Sequence, residues 1–482
     1  MAIGLWFFST APLDAATSAS QYGITWTFAK DYTVGQYANG DYWVLVDPTD
    51  LNVTITSISP ASVVLPARVF LDGSNRASTV NGSMINPAAS TSAKQGFDDG
   101  LEAGSGTSET WDASLNVARP GGNDLSAGNP LVITAGKSLV SSISNPIGNT
   151  RPGLTDAAVL TVVGTAPAAG AFRPPYAGTD KSGTWNEANL DYGILLALPQ
   201  PAGAPLLTTV ENYVQRPWIE INTSHKGRYF HPSNNQQEYG RDMAYQMSDA
   251  LLTLHLNYTN TAKKKLFVRI IQYGIDVYGA AKSGGVWECN GGYNMGRKMP
   301  LILAGLALND SNILAWGDAS QHFIFQEDQQ TFYVVQSDVG RTLVDETSQG
   351  RFHIPFIQAD VGKADWGEKH FGTPNRDGRN FDTFYRDQNA LSLLAHALTA
   401  RLTKGAVAAW NWPAFFDYMD RHYTVTTNWS YATYGDLVGD PANAAAGWSP
   451  PGYVTFHKNM WAAYRKLAGP APVAPSTLTV GP

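Results

Sequence analysis

The chain has 482 residues, 43% of them hydrophobic and 15% charged, so it can bury a sizeable core and is not globally disordered. Its net charge of −7 lies in the first 200 residues, the remainder being neutral overall, and no basic stripe argues for a nucleic-acid partner. No apolar run approaches a membrane-spanning helix, so no membrane partner is expected, and the single cysteine, Cys289, permits no disulfide within the chain.

Residues 1–20 read as a leader or N-terminal arm. Leu5-Trp6-Phe7-Phe8 is apolar but too short for a signal-peptide core, and it lacks a basic start. Residues 21–168 predict an antiparallel β-sandwich. Gly23–Ala29, Tyr42–Val46, Leu51–Ser57 and Ala158–Val163 are rich in β-branched and aromatic residues, and Asn39-Gly40-Asp41, Asp72-Gly73 and Pro120-Gly121-Gly122-Asn123 supply turns between them. The Ser/Thr/Gly/Asp-rich run Ala88–Asp112 reads as a surface excursion. Residues 169–204 read as a Pro-rich connector with a short helix over Ala188–Leu198.

From residue 205 the texture becomes helical. Leu206–Ile219 predicts one helix. Arg241–Tyr258 predicts another, with Met243, Met247, Ala250, Leu251, Leu254 and Tyr258 along one stripe. His255 falls on that stripe and reads as core. Lys263–Ala281 is apolar on most sides, as in a helix packed between others. Pro300–Leu308, Ile313–Phe325, Asn389–Leu402, Ala406–His422 and Phe456–Leu467 follow. Consecutive helical hairpins of this kind predict an (α/α) toroid-type domain over residues 205–482, making the whole chain an α+β multidomain protein. The long irregular stretch Gln326–Arg386 interrupts the helices, and such stretches are usually functional.

Standard catalytic signatures are absent: there is no His-Glu-x-x-His, no phosphate-binding loop, no Gly-x-Ser-x-Gly and no Cys-x-x-Cys. Three polar clusters each lead into a helix: His231–Arg241, Gly284–Lys298, and Trp366–Pro374 continuing through Asp382–Gln388. Their residue types suit eliminative cleavage of a uronic-acid glycan. That reaction needs the sugar carboxylate neutralised, a base for the C5 proton, and an acid for the leaving oxygen. Tyr239, Tyr293, Tyr385, His370 and His231 are the candidate proton-transfer groups. Asn234, Asn235, Arg241, Asn294, Arg297 and Arg386 are candidates for binding the anionic substrate, with Trp287 and Trp366 stacking on sugar rings. No cofactor or catalytic metal is expected; a structural divalent cation is left open. Two other readings remain: a glycoside hydrolase using a carboxylate pair drawn from Glu288, Asp365, Glu368, Asp382 and Asp387, and a non-catalytic carbohydrate-binding protein.

A β-rich region joined to a helical toroid resembles multi-domain polysaccharide lyases, including alginate and heparin lyases. Gly292–Leu306 is similar to the Gly-rich loop and inner toroid helix of such proteins, and Trp366–Phe371 and Tyr385-Arg386-Asp387 have a similar texture. Here the β-rich region precedes the helices, whereas those lyases usually place it after them. The resemblance implies β-elimination on an acidic polysaccharide. A secreted or periplasmic setting is expected.

Overall fold

The computed structural model describes residues 14–103, 106–119, 124–234, 240–340, 356–367, 389–428 and 453–468. The chain divides into two units. One comprises Met1–Ala88 and Lys94–Leu190, the other Ala89–Ala93 and Asp191–Pro482. The first is built on β-structure and the second on helices, an α+β arrangement.

In the first unit the strands are β1 (Asp14–Gln21), β2 (Ile24–Gln36), β3 (Tyr42–Leu45), β4 (Asn52–Ser59), β5 (Val63–Val69), β6 (Asn75–Val80), β7 (Ser83–Ile85), β8 (Leu131–Thr134), β9 (Lys137–Ser144) and β10 (Leu154–Val163). The main sheet runs β7-β9-β10-β3-β2-β4-β8, with β1 paired to β2, while β5 and β6 form a separate ribbon. The expected purely antiparallel pattern does not hold, because β10 lies parallel to β3, with Leu160 opposite Tyr42 and Val163 opposite Leu45.

Local sequence explains much of this sheet. Tyr22 (φ 50°) and Gly23 (φ 79°) are both left-handed, which suits the tight two-residue turn that joins β1 to β2. Ile24, Trp26 and Phe28 alternate inward along β2. They meet Val44, Val53, Ile55, Leu139 and Leu160 in one core. β10 is buried along most of its length rather than alternately, as befits a central strand with a parallel neighbour.

The run Ala88–Asp112 is not the surface excursion its composition suggests. Gln95, Phe97, Asp98 and Leu101 are buried. Asp98 forms a two-pronged pair with Arg68, at 2.6 and 2.8 Å, and also accepts from the Gly100 N–H. The buried Gln95 and Asp98 are admitted here because each is hydrogen-bonded internally. The helix expected over Ala188–Leu198 is replaced by two 3-10 turns, Glu187–Asn189 and Tyr192–Ile194. Asn186 and Asp191 each accept from the backbone N–H two residues on, a local bond that competes with helix continuation.

The second unit contains α1 (Leu207–Tyr213), α2 (Gly240–Leu254), α3 (Asn260–Lys282), α4 (Lys298–Ala307), α5 (Ser311–Gly317), α6 (Gln326–Gln329), α7 (Leu394–Leu402), α8 (Ala406–Trp410), α9 (Pro413–Asn428) and α10 (Thr455–Tyr464). A small antiparallel pair, β11 (Thr331–Tyr333) and β12 (Ala364–Trp366), lies within the stretch read as irregular. The Thr259 side chain caps α3 by accepting from the Ala262 N–H at 3.1 Å. α3 is then buried on most faces, from Leu266 to Ala281. Gly274 lets α3 approach α4 closely: a Cβ there would stand 2.3 Å from the Pro300 carbonyl oxygen. The Lys263 ammonium donates to the Leu254 carbonyl at 2.7 Å, closing the end of α2. His255 is core, its two ring nitrogens taken up by the Leu196 N–H and the Thr403 hydroxyl. The helix expected over Ile313–Phe325 ends at Gly317, because the Asp318 carboxylate turns the chain by accepting from the Ser320 N–H and hydroxyl.

Trp26 is fully buried and its indole N–H reaches the Ser141 hydroxyl at 3.0 Å. Trp26→Ala is expected to lower unfolding stability by about 3–5 kcal/mol, read as a shift in the urea midpoint of the β-rich unit's transition.

Candidate functional site

From Cys289 onward, the Gly-rich loop between α3 and α4 is held chiefly by side chains. Gly291 (φ 59°) and Gly296 (φ 91°) adopt left-handed backbone, and such a loop cannot pair its own N–H and C=O groups regularly. Gln326–Gln330 does so for it. The Cys289 N–H donates to Gln329 Oε1 at 2.9 Å, the Asn294 N–H to Gln326 Oε1 at 2.8 Å, and the Gly296 N–H to Glu327 Oε1 at 2.8 Å. The amides of Gln326 and Gln330 both donate to the Gly291 carbonyl. The Lys298 ammonium reaches Asp328 Oδ2 at 2.6 Å.

Beneath the loop lies a buried hub around Glu220. Its carboxylate accepts from the Tyr273 hydroxyl, the Trp287 indole and the Arg297 guanidinium, each at 3.0 Å. Burial is the largest single influence and would raise the Glu220 carboxyl, but Arg297 together with His231 and the Trp287 and Tyr273 donors outweighs it, and the carboxyl is held below its usual range. His231 is buried beside this hub, with Nδ1 accepting from the Ile219 N–H at 3.2 Å. Burial lowers its pKa to about 4 in spite of Glu220, so the ring is neutral near pH 7.

These positions correct several sequence expectations. Arg297 is only 3% exposed and already paired with Glu220, so it is not available to a substrate carboxylate. Asn294 is likewise buried, its amide donating to the Glu288 carbonyl. Trp287 stacks on Phe325 at 5.2 Å and Trp366 packs on Tyr418, and both indoles are fully buried, leaving no ring face exposed for a sugar. His231 is a buried acceptor rather than an accessible base. Asn234 is exposed and Arg241 is half-buried, its Nε 3.2 Å from Asp242. Tyr239, Asn235, His370, Tyr385 and Arg386 lie outside the described residues. Of the acids considered for hydrolysis, Glu288 is exposed and Asp365 is buried in β12, and the other three lie outside the described residues.

Tyr293 is the member of the loop's predicted set that reaches a half-exposed face. Two neighbours that the sequence did not single out meet it there. The Arg228 guanidinium lies over the Tyr293 ring at 4.9 Å, and the His225 ring stands 5.9 Å from it. Both come from the 3-10 turn His225–Tyr229, capped by the Ser224 hydroxyl. In such a turn residues i and i+3 eclipse, which puts His225 and Arg228 on one side. The start of α2 abuts the same spot, since a Cβ on Gly240 would stand 1.9 Å from the Tyr293 carbonyl oxygen. Arg228 also lies over Tyr229 and reaches that hydroxyl only at 3.5 Å. Among the described residues no carboxylate pairs with Arg228, and its Nε is buried without a hydrogen-bond partner. A guanidinium so placed, stacked and without a carboxylate partner among the described residues, is suited to receive an anionic ligand.

Behind the loop, Glu327 Oε2 and His396 Nδ1 are buried with no partner among the described residues. Burial raises the Glu327 carboxyl to about 7, with Asp328 adding repulsion and Lys298 partly offsetting it. Burial also lowers His396 to about 4. Among the described residues no group of three or more His, Cys, Asp and Glu is arranged to hold a metal ion. Compared with protein-family models, curated proteins and solved structures, the chain matches none of them.

The Glu327 shift has a definite sign in stability. The folded state keeps a proton that the unfolded chain releases near the ordinary 4.5, so stability is full below that value and falls as pH rises to about 7. Glu327→Gln should therefore raise unfolding stability by about 3 kcal/mol at about pH 8.5 and by almost nothing at about pH 4, measured by urea denaturation at the two pH values.

Proposed function

We propose that the helical unit is a polysaccharide lyase that cleaves an acidic, uronic-acid-containing glycan by β-elimination. Its finer architecture in this reading is an (α/α) toroid-type domain accompanied by a β-sandwich, and a secreted or periplasmic setting goes with such a substrate. The observation that carries the reading is Arg228: a half-buried guanidinium without a carboxylate partner among the described residues, lying against Tyr293 and beside His225.

These residue types match the three needs of the reaction. Arg228 binds the uronate carboxylate and offsets the charge that spreads onto it when C5 loses its proton. His225 takes that proton. The electron pair forms the C4=C5 double bond as the C4–O bond breaks, and Tyr293 supplies the proton for the departing oxygen. Arg241, at the start of α2 beside Tyr293, adds a second cation for a neighbouring acidic sugar. The alternative, glycoside hydrolysis, has Glu327 as its best-tuned acid, although that carboxyl is fully buried.

Elimination creates a conjugated, ultraviolet-absorbing product, and hydrolysis does not. With a panel of uronic-acid polysaccharides, absorbance and reducing ends are expected to rise together. Arg228→Ala should then lower kcat/KM by about 100-fold or more, and Tyr293→Phe should lower kcat by a similar factor. Reducing ends without absorbance would move the function to hydrolysis, and silence in both with a binding signal would leave a carbohydrate-binding protein.

A further inference from the structure

We propose that Glu327 is a positioning residue of this site: it holds the loop that carries Tyr293 through the Gly296 N–H, and it loosens that loop when its carboxyl ionises. The catalytic consequence rests on the elimination reading; the effect on the loop does not.

The geometry that supports this is the contiguous clamp Gln326–Gln330. Its amide members and Asp328 bind the loop and Lys298 through groups that do not change charge near neutrality or are matched by an opposite charge. Glu327 differs. One oxygen holds the Gly296 N–H, and the other is buried with no donor among the described residues. As a neutral acid it leaves only an uncharged hydroxyl unpaired among the described residues, the smaller cost. As a carboxylate it leaves a charged oxygen without a donor, which is costly in a dry interior.

The charged groups around Glu327 do not cancel that cost. Asp328 on its own helix repels it. Lys298, at the head of α4, attracts it but is committed to Asp328 and the Trp410 carbonyl. Arg297 is committed to Glu220. His396 of α7 packs against Gly296, its Cε1 3.3 Å from where a Cβ would stand, and is neutral near pH 7. On α9, Asp417 is bonded to Tyr333, Asp420 to Arg401 and Arg465, Arg421 to the Ala364 carbonyl, and His422 to Tyr453. Among the described residues none of these groups is placed to donate to the second oxygen, which leaves water, and water reaches it only if loop and clamp part. Gly296 is central because its N–H bond to Glu327 lies two residues from Asn294 and three from Tyr293.

Hydrogen–deuterium exchange of the intact chain, corrected for the intrinsic pH dependence of amide exchange, tests this. In peptides covering Cys289–Arg297, wild-type protection is expected to fall about tenfold between about pH 6 and about pH 8.5, while Glu327→Gln stays protected throughout and α3 peptides stay flat in both. A flat wild-type profile overturns the proposal, and this can be read even if the variant fails to fold. The same step in Glu327→Gln also overturns it. A pH step in a chain that shows no absorbance with any uronate keeps the positioning role and removes the elimination reading. A flat profile in a chain that does eliminate does the reverse.

Discussion

The site depends on one constraint: a glycine-rich loop must have its backbone groups satisfied, and it has no regular structure with which to do so. A run of five polar residues, Gln326 to Gln330, supplies the missing partners from the next segment of the fold. Glutamine recurs in that run for a physical reason. Its amide offers both an acceptor and donors without a charge, so Gln326 can accept from Asn294 and donate to Gly291 at once. Where a charge does appear, as in Asp328, an ammonium is buried against it. The loop is therefore a moulded surface, and the backbone beside Tyr293 is held by Gln326 and Glu327 through Asn294 and Gly296.

Two layers of chemistry result. The inner layer, around Glu220, is saturated: each charged group has its partner, and its aromatic rings are packed. Such a hub resists change and sets geometry. The outer layer is unsaturated. Arg228 stacks on two tyrosines and meets no countercharge among the described residues. A group balanced in that way keeps its electrostatic field for something outside the chain.

How much of this could be read in the sequence varies with the physics involved. The cores of α2, α3 and α4 were legible because helical periodicity reports burial directly, and His255 is buried as expected although it lies just past the end of α2. The run from Ala88 to Asp112 was not, because composition cannot show that Asp98 has found Arg68 some thirty residues away. The loop from Trp287 to Arg297 stands out in the sequence by its residue types, which do not by themselves say what they do. Its Trp, Asn and Arg residues are the types that bind sugars, and they are equally the types that tie a loop down. What separates the two roles is which side chains are already spent, and that is a matter of three-dimensional pairing. His225 and Arg228 were passed over because their i, i+3 spacing acquires meaning only once the segment is known to form a 3-10 turn.

The parallel pairing of β3 with β10 carries a consequence for how the β-rich unit is made. Strand β3 ends at Leu45 and its partner begins at Leu154, so roughly a hundred residues must be synthesised before that edge is covered. Over the same interval β4 waits for β8. Local hairpins such as β1–β2 and β5–β6 are complete long before then. On the ribosome the unit therefore passes through a half-sheet with open hydrogen-bonding edges, and its assembly ends with the insertion of β10 between β3 and β9.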